Sequence, residues 1–182
     1  IHPEHITSHQ IAYLEGYLWD NQNAKMAMKK MVDICKSDNQ KIAFTLSDLF
    51  CVDRHRDSFK KLIENDVDIL FGNQDEYSAM LNSTNIDDGI AYAKSLNILS
   101  IMTLAEKGSL IIEGDKISEI KAEPVETIID TTGAGDLFAS GFLYGIAHKK
   151  NNEESGRFAS IAAAEIISHY GARPKVKLSS LI

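Results

Sequence analysis

Apolar residues in this chain recur with two different spacings, and the two alternate along its length. Short, nearly uninterrupted apolar runs at 11–18 (IAYLEGYL), 41–46 (KIAFTL), 67–71 (VDILF) and 98–104 (NILSIMTL, less its first residue) predict strands buried on both faces. Between them, Ala24, Met28, Met31, Val32 and Cys35 return at three- and four-residue intervals and predict a helix over 21–37. Weaker helical patterns follow at 57–64, 75–81 and 87–96. Residues 109–122 predict a strand pair turned at Gly114-Asp115, a favoured hairpin dipeptide. A strand at 125–129 and helices at 135–149 and 153–170 complete the pattern, the last helix carrying the small-residue run Ala162-Ala163-Ala164. Met26, Met28 and Met31 are expected to fill the core, and Trp19 to pack near Tyr17 at a strand end.

Strands alternating with helices at this spacing predict an α/β fold: a mostly parallel sheet covered by helices on both faces. Ligands of such sheets bind beyond the carboxyl ends of the strands, where a loop feeds a helix amino terminus.

Composition changes this picture mainly by exclusion. The 182 residues suit one domain with a real core, and the net charge of −7 comes without a cluster of Lys and Arg. Nucleic acid is therefore not the expected partner. Cys35 and Cys51 are expected to be free thiols in a reducing compartment. No apolar run approaches the roughly 18 to 20 residues of a membrane span, and no secretory leader is read, so cytoplasmic is the expected location. The first residue is Ile1 rather than Met, and the expectation is that either an upstream segment was removed or the sequence is a fragment. His2, His5 and His9 are expected to form a mobile terminal segment rather than a metal site. Asp53-Arg54-His55-Arg56 reads as a solvated helix start.

The segment Asp130-Thr131-Thr132-Gly133-Ala134-Gly135-Asp136 separates the expected strand at 125–129 from the helix opening LFASGFLYG. Gly133 and Gly135 permit backbone conformations closed to other residues. The amides of Gly133, Ala134 and Gly135 can then converge on one anion, at a helix start that favours negative charge. A transferring phosphoryl group needs such fixed dipoles, because negative charge spreads over its peripheral oxygens in the transition state. A carboxylate beside that anion hole, Asp136, is placed to take a proton from an attacking hydroxyl. The plain alternative is an Asp at a glycine-rich helix start. The segment is neither a GxxxxGK phosphate loop nor a GxGxxG dinucleotide turn, and no motif supports an oxidoreductase.

DTTGAGDLFASGFLYG resembles the second signature of the ribokinase-type (PfkB) kinases. Asn73-Gln74-Asp75-Glu76, after a predicted strand, matches that family's N-x-x-E motif. Thr103-Leu104-Ala105-Glu106-Lys107-Gly108 resembles its T-L-G-x-x-G turn, with Ala105 where Gly is usual. YLEGYLWD and LSDLFCVDRHR are closest in wording to bacterial members called adenosine kinase-like. The resemblance covers residues 11–174.

It implies a ribokinase-like fold, represented here across 1–182 by the carboxy-terminal, ATP-binding and catalytic part, without the amino-terminal half and its β-sheet lid. It implies that Asp136 deprotonates a primary hydroxyl, which attacks the γ-phosphorus of ATP while Gly133, Ala134 and Gly135 donate amides. Asn73 and Glu76 would act through Mg²⁺ and its waters. Thr103 and Gly108 would lie along the phosphates and ribose, and Ser160, Ala163 and Ala164 would flank the adenine. Asp130 and Thr132 match positions that in several relatives help hold a monovalent cation such as K⁺. Ribose, fructose, a sugar acid or a nucleoside are the acceptors in play. The alternative is a truncated, non-catalytic nucleotide-binding fragment, whose uncovered surface favours homo-oligomers.

Overall fold

A computed structural model describes residues 2–7 and 9–181. The chain divides into two compact units: one runs up to Thr103 and includes Ile112–Ile117, and the other takes Leu104–Ile111 and Ser118 onward.

Four parallel strands organise the first unit: β1 (Ile11–Glu15), β2 (Lys41–Thr45), β3 (Ile69–Asn73) and β4 (Leu99–Thr103). The central strands are buried almost throughout, which is why they read as apolar runs without polar alternation. The order is β1-β2-β3-β4-β5-β6; β5 (Ser109–Glu113) and β6 (Lys116–Ile120) form the expected hairpin, whose tip belongs to this unit. Gly114 at the tip takes a φ of 57°, the left-handed conformation the turn requires.

The connecting helices are α1 (Gln22–Ser37), α2 (Leu49–Asp66), α3 (Gln74–Ala79) and α4 (Ile86–Ser95). Each begins at an Asn or Asp whose side chain accepts first-turn N–H groups: Asn21, Asp48, Asn73 and Asn85. Phe44 on β2 and Phe59 on α2 meet edge to face, centroids 5.0 Å apart, and Trp19 closes on Phe59 at 5.8 Å.

Five expectations are corrected. The strand at 11–18 stops at Glu15, and Gly16–Asp20 is a 3-10 helix. A Cβ on Gly16 would stand 2.8 Å from Leu46 O, so glycine lets the chain turn tightly against β2, and Tyr17 and Leu18 face outward. Trp19 is buried on Phe44 and Phe59, with its N–H on Ser58 Oγ at 2.9 Å, rather than beside Tyr17. Met28 is core, but Met26 is 58% exposed because it lies on the outer face of α1. The helix at 57–64 is only the end of α2, so Asp53–Arg56 lies inside it: Arg54 pairs with Asp20 and Arg56 with Asp53. Residues 125–129 form no strand; among the described residues, Ile129 N–H bonds to Ile167 O at 2.9 Å, and Ile128 and Ile129 are exposed.

In the second unit α5 (Ala134–Ala147) packs along α6 (Asn152–Ile167). The contact is close because Gly141 and Gly145 present no side chain: a Cβ on Gly141 would lie 2.8 Å from Ala159 Cα, and one on Gly145 2.8 Å from Ser155 Cα. Asn151 and Glu154 cap α6 reciprocally, and the helix ends at Ile167 rather than at Tyr170.

Candidate active site

In the second unit the loop from Asp130 leads into α5. The Asp130 carboxylate organises it: Oδ1 accepts the Thr132 N–H at 2.9 Å and the Thr132 hydroxyl at 2.6 Å, and Oδ2 accepts the Gly171 N–H at 3.1 Å. The Thr132 hydroxyl first, then the two amides, hold this carboxyl down at about 2. Gly133 is the cap residue of α5, with a left-handed φ of 83°. A Cβ there would stand 3.1 Å from the Ala172 Cβ, so glycine is needed for both conformation and space.

Three amides were expected to form the anion hole. Ala134 N–H already donates to Thr131 O at 3.1 Å, closing a turn. Gly135 and Asp136 follow in the first turn, where backbone N–H groups have no intrahelical acceptor. An added Cβ on Gly135 meets nothing within 4 Å, so space is open beside it. Asp136 is exposed, and among the described residues its carboxylate takes part in no hydrogen bond or ion pair.

Ser160 on α6 is buried and works as a tie: its hydroxyl accepts the Glu123 N–H at 2.7 Å and donates to Lys121 O at 3.3 Å. Ala164, one turn further on, lines a cavity of about 830 Å³ with Val125, Thr127, Arg157, Ile161 and Lys175. Ala163 is half-buried and is not part of that lining. Gly108 is buried with a φ of 96°; its O accepts the Leu104 N–H at 2.8 Å, closing the turn at 104–108. Ala105 in that turn is itself left-handed, φ 52°, which supplies the physical reason why glycine suits the position.

In the first unit β3 ends in Asn73, whose register partner on β4 is Thr103. Asn73 and Glu76 form a capping box. Asn73 Oδ1 accepts the Glu76 N–H at 2.9 Å, Asn73 N–H donates to Glu76 Oε2 at 3.0 Å, and Asn73 Nδ2 donates to Oε1 at 2.8 Å. Glu76 is only 5% exposed, not the solvated carboxylate that its place in a helix start suggests. Burial pushes its carboxyl up to about 7; the Asn73 N–H pulls it down, and the charges of Asp48 and Asp75 push it further up. Gly72 makes room, since a Cβ there would lie 3.1 Å from Glu76 Oε2.

Among the described residues no group of three His, Cys, Asp or Glu side chains is set to hold a metal directly. His2 and His5 lie with ring centroids 5.7 Å apart, without a third ligand among the described residues. No helix among the described residues is long and apolar enough to cross a membrane.

Sequence reasoning missed Asp48, the α2 cap whose charge reaches Glu76, and the pair Glu165 and His169 after the small-residue run. For Asp48 the signal was an Asp three residues before Cys51 in an apolar stretch. For Glu165 there was none, because its partners lie in irregular chain.

The architecture, six strands flanked by helices with glycine-rich turns opening onto strand and helix ends, is the ribokinase-like α/β fold. It superimposes on a probable sugar kinase from Rhizobium etli with a TM-score of 0.97, at 34% identity, over 100% of this chain and 55% of that one. For an adenosine kinase from Sinorhizobium meliloti the TM-score is 0.96, at 35% identity, over 100% of this chain and 56% of that one. An uncharacterized sugar kinase of Archaeoglobus fulgidus is 48% identical over 71 residues, 38% of this chain and 28% of that protein. The profile of the pfkB family carbohydrate kinases matches residues 3–178, and the chain belongs to that family. It spans about half the length of the solved structures it matches.

Proposed function

We propose that residues 1–182 are the ATP-binding and catalytic part of a kinase that moves the γ-phosphoryl group of ATP to a primary hydroxyl of a sugar or nucleoside. The observation that carries this reading is the loop at 130–136: a left-handed Gly133 caps α5, and an exposed Asp136, unpaired among the described residues, stands in the first turn. Asp136 takes the acceptor's proton as its oxygen bonds to the γ-phosphorus. The bond from that phosphorus to the β–γ bridging oxygen breaks, and ADP leaves with the electron pair. Amides of Gly133 and Gly135, and of Ala134 once the turn to Thr131 opens, face the peripheral oxygens.

Asn73 and Glu76 would act on Mg²⁺ through its waters, and the ion would supply positive charge to the phosphates. Thr103 and Gly108 border the phosphates and ribose. The cavity beside Ala164, with Ser160 and Ala163 on the same helix, suits a planar base. Asp130 and Thr132 offer oxygens to K⁺. The names of the two rhizobial structures, a probable sugar kinase and an adenosine kinase, support a sugar or nucleoside acceptor.

The test is ADP release from Mg·ATP with adenosine, ribose and fructose offered in turn. Acceptor-dependent release that falls about 10²- to 10⁴-fold in Asp136→Asn is expected. Release unaffected by that substitution would sink the assignment of the base. A second reading, a nucleotide-binding fragment without turnover, is favoured by the 55% coverage of the Rhizobium structure. It predicts Mg·ATP binding and silence with every acceptor.

A further inference from the structure

The segment that leaves α6 is held at two points by one carboxylate. Glu165, in the last turn of the helix, has a side chain only 8% exposed. Its Oε1 accepts the backbone N–H of Lys175 at 2.8 Å and lies 3.1 Å from Nε2 of His169, which is also buried. The other oxygen, Oε2, is buried without a hydrogen-bond partner among the described residues. Holding a carboxylate here is costly, and packing alone would be served as well by an apolar side chain.

Between the two anchors the chain reaches the glycine-rich loop. The Gly171 N–H donates to Asp130 Oδ2 at 3.1 Å, and Ala172 is the residue a Cβ on Gly133 would meet at 3.1 Å. Asp130 in turn holds the amide and hydroxyl of Thr132. One continuous set of contacts therefore runs from Glu165, through residues 169–175, to the start of α5.

We infer that Glu165 is a positioning residue for the loop at 130–136: by tying His169 and Lys175 to one carboxylate it fixes the return segment that holds Asp130 and Gly133 in place. The role rests on the kinase reading, which says what the loop is positioned for. Glu165 also lines the cavity beside Ala164, so the ligand-free exchange rates, which no contact with a nucleotide can alter, carry the test of the clamp.

The experiment is amide hydrogen exchange on the 182-residue chain, with and without Mg·ATP, for wild type, Glu165→Ala, Glu165→Gln and Lys175→Pro. In Glu165→Ala the amides of Gly171 and of 130–136 exchange about ten-fold faster or more, while those of β2 and β3 keep their rates. Glu165→Gln retains an oxygen for the Lys175 N–H and stays close to wild type. Lys175→Pro removes the donor at the far end and reproduces the effect even where Glu165→Ala does not fold. Protection of 133–136 by Mg·ATP, present in wild type and Glu165→Gln, is lost in Glu165→Ala. Wild-type exchange at 130–136 in Glu165→Ala would overturn the inference. So would acceleration spread equally over β2 and β3, or a Glu165→Gln chain as fast as Glu165→Ala. An absence of Mg·ATP protection in wild type fails the kinase reading instead, and the ligand-free rates still judge the clamp.

Discussion

Glu76 shows how one residue can be both a helix cap and a site carboxylate. Its two oxygens receive the Asn73 amide and side-chain N–H groups, yet burial still raises its carboxyl from 4.5 to about 7. The folded chain therefore binds this proton more tightly than the unfolded chain does. The resulting stability is fully present below about pH 4.5, is lost as pH rises toward 7, and then levels off. Glu76→Gln removes the titration, so the wild type loses about 1–3 kcal/mol relative to the variant between pH 4.5 and 7.5. Urea midpoints at both ends of that window measure it; a constant difference would refute the burial argument. Ala105 makes a second case at this scale. Its φ of 52° is strained for a side chain with a Cβ, so Ala105→Gly should stabilise the chain by about 0.5–1 kcal/mol after the extra freedom of unfolded glycine is counted. A raised urea midpoint at unchanged slope is the expected result, and a lowered one would mean the turn does not need glycine. The sequence alone marked Ala105 as unusual, but only the backbone angle explains why.

Elements were legible where one local rule decides the outcome. The strand at β2 and the hairpin at Gly114 follow from a short apolar run and a turn dipeptide, and the structure places both there. Residues 125–129 also look like a strand by composition, but the backbone at Ile129 bonds to α6 rather than to a neighbouring strand. The extent of α2 was hidden because Asp53–Asp57 is polar in five consecutive positions, while Cys51, Val52, Phe59, Leu62 and Ile63 still bury one face. The α5–α6 contact was legible only as small residues. Substituting glycine by alanine inside an exposed helix normally stabilises it by about 1 kcal/mol. At Gly141 the new Cβ would sit 2.6 Å from Phe158 O and 2.8 Å from Ala159 Cα, backbone atoms that cannot swing away. Gly141→Ala is therefore expected to destabilise by about 1–3 kcal/mol, despite the better propensity. Chemical denaturation decides the sign, and a stabilised variant would mean that the two helices separate freely.

At the scale of the whole molecule, the candidate residues fall on both compact units: Asn73, Glu76 and Thr103 on the first, and Gly108, Asp130 to Asp136 and the α6 residues on the second. Motif order and spacing single out this set from the sequence, because each motif has its own local chemistry: Asn73 and Thr103 end strands, and the loop at 130–136 leads from irregular chain into α5. What lay beyond reach was the support behind the motifs, such as the Glu165 clamp and the Ser160 tie, which join residues 10 and 37 positions apart through irregular chain. A chain that spans about half the length of its solved relatives can retain nucleotide binding while lacking other parts of a reaction, and ligand linkage separates the two properties. At a hundred times its dissociation constant, Mg·ATP stabilises a chain that binds it only when folded by about 2.7 kcal/mol. For a protein of this size that is about 5–10 °C in Tm. Asp136→Asn should keep this shift, because the substitution removes a proton acceptor and leaves the amides in place. A shift in both chains, with turnover in neither, places the loop's function in binding and assigns catalysis to a longer protein. A shift lost in Asp136→Asn would instead make that carboxylate part of the nucleotide's binding, against its proposed role as a base.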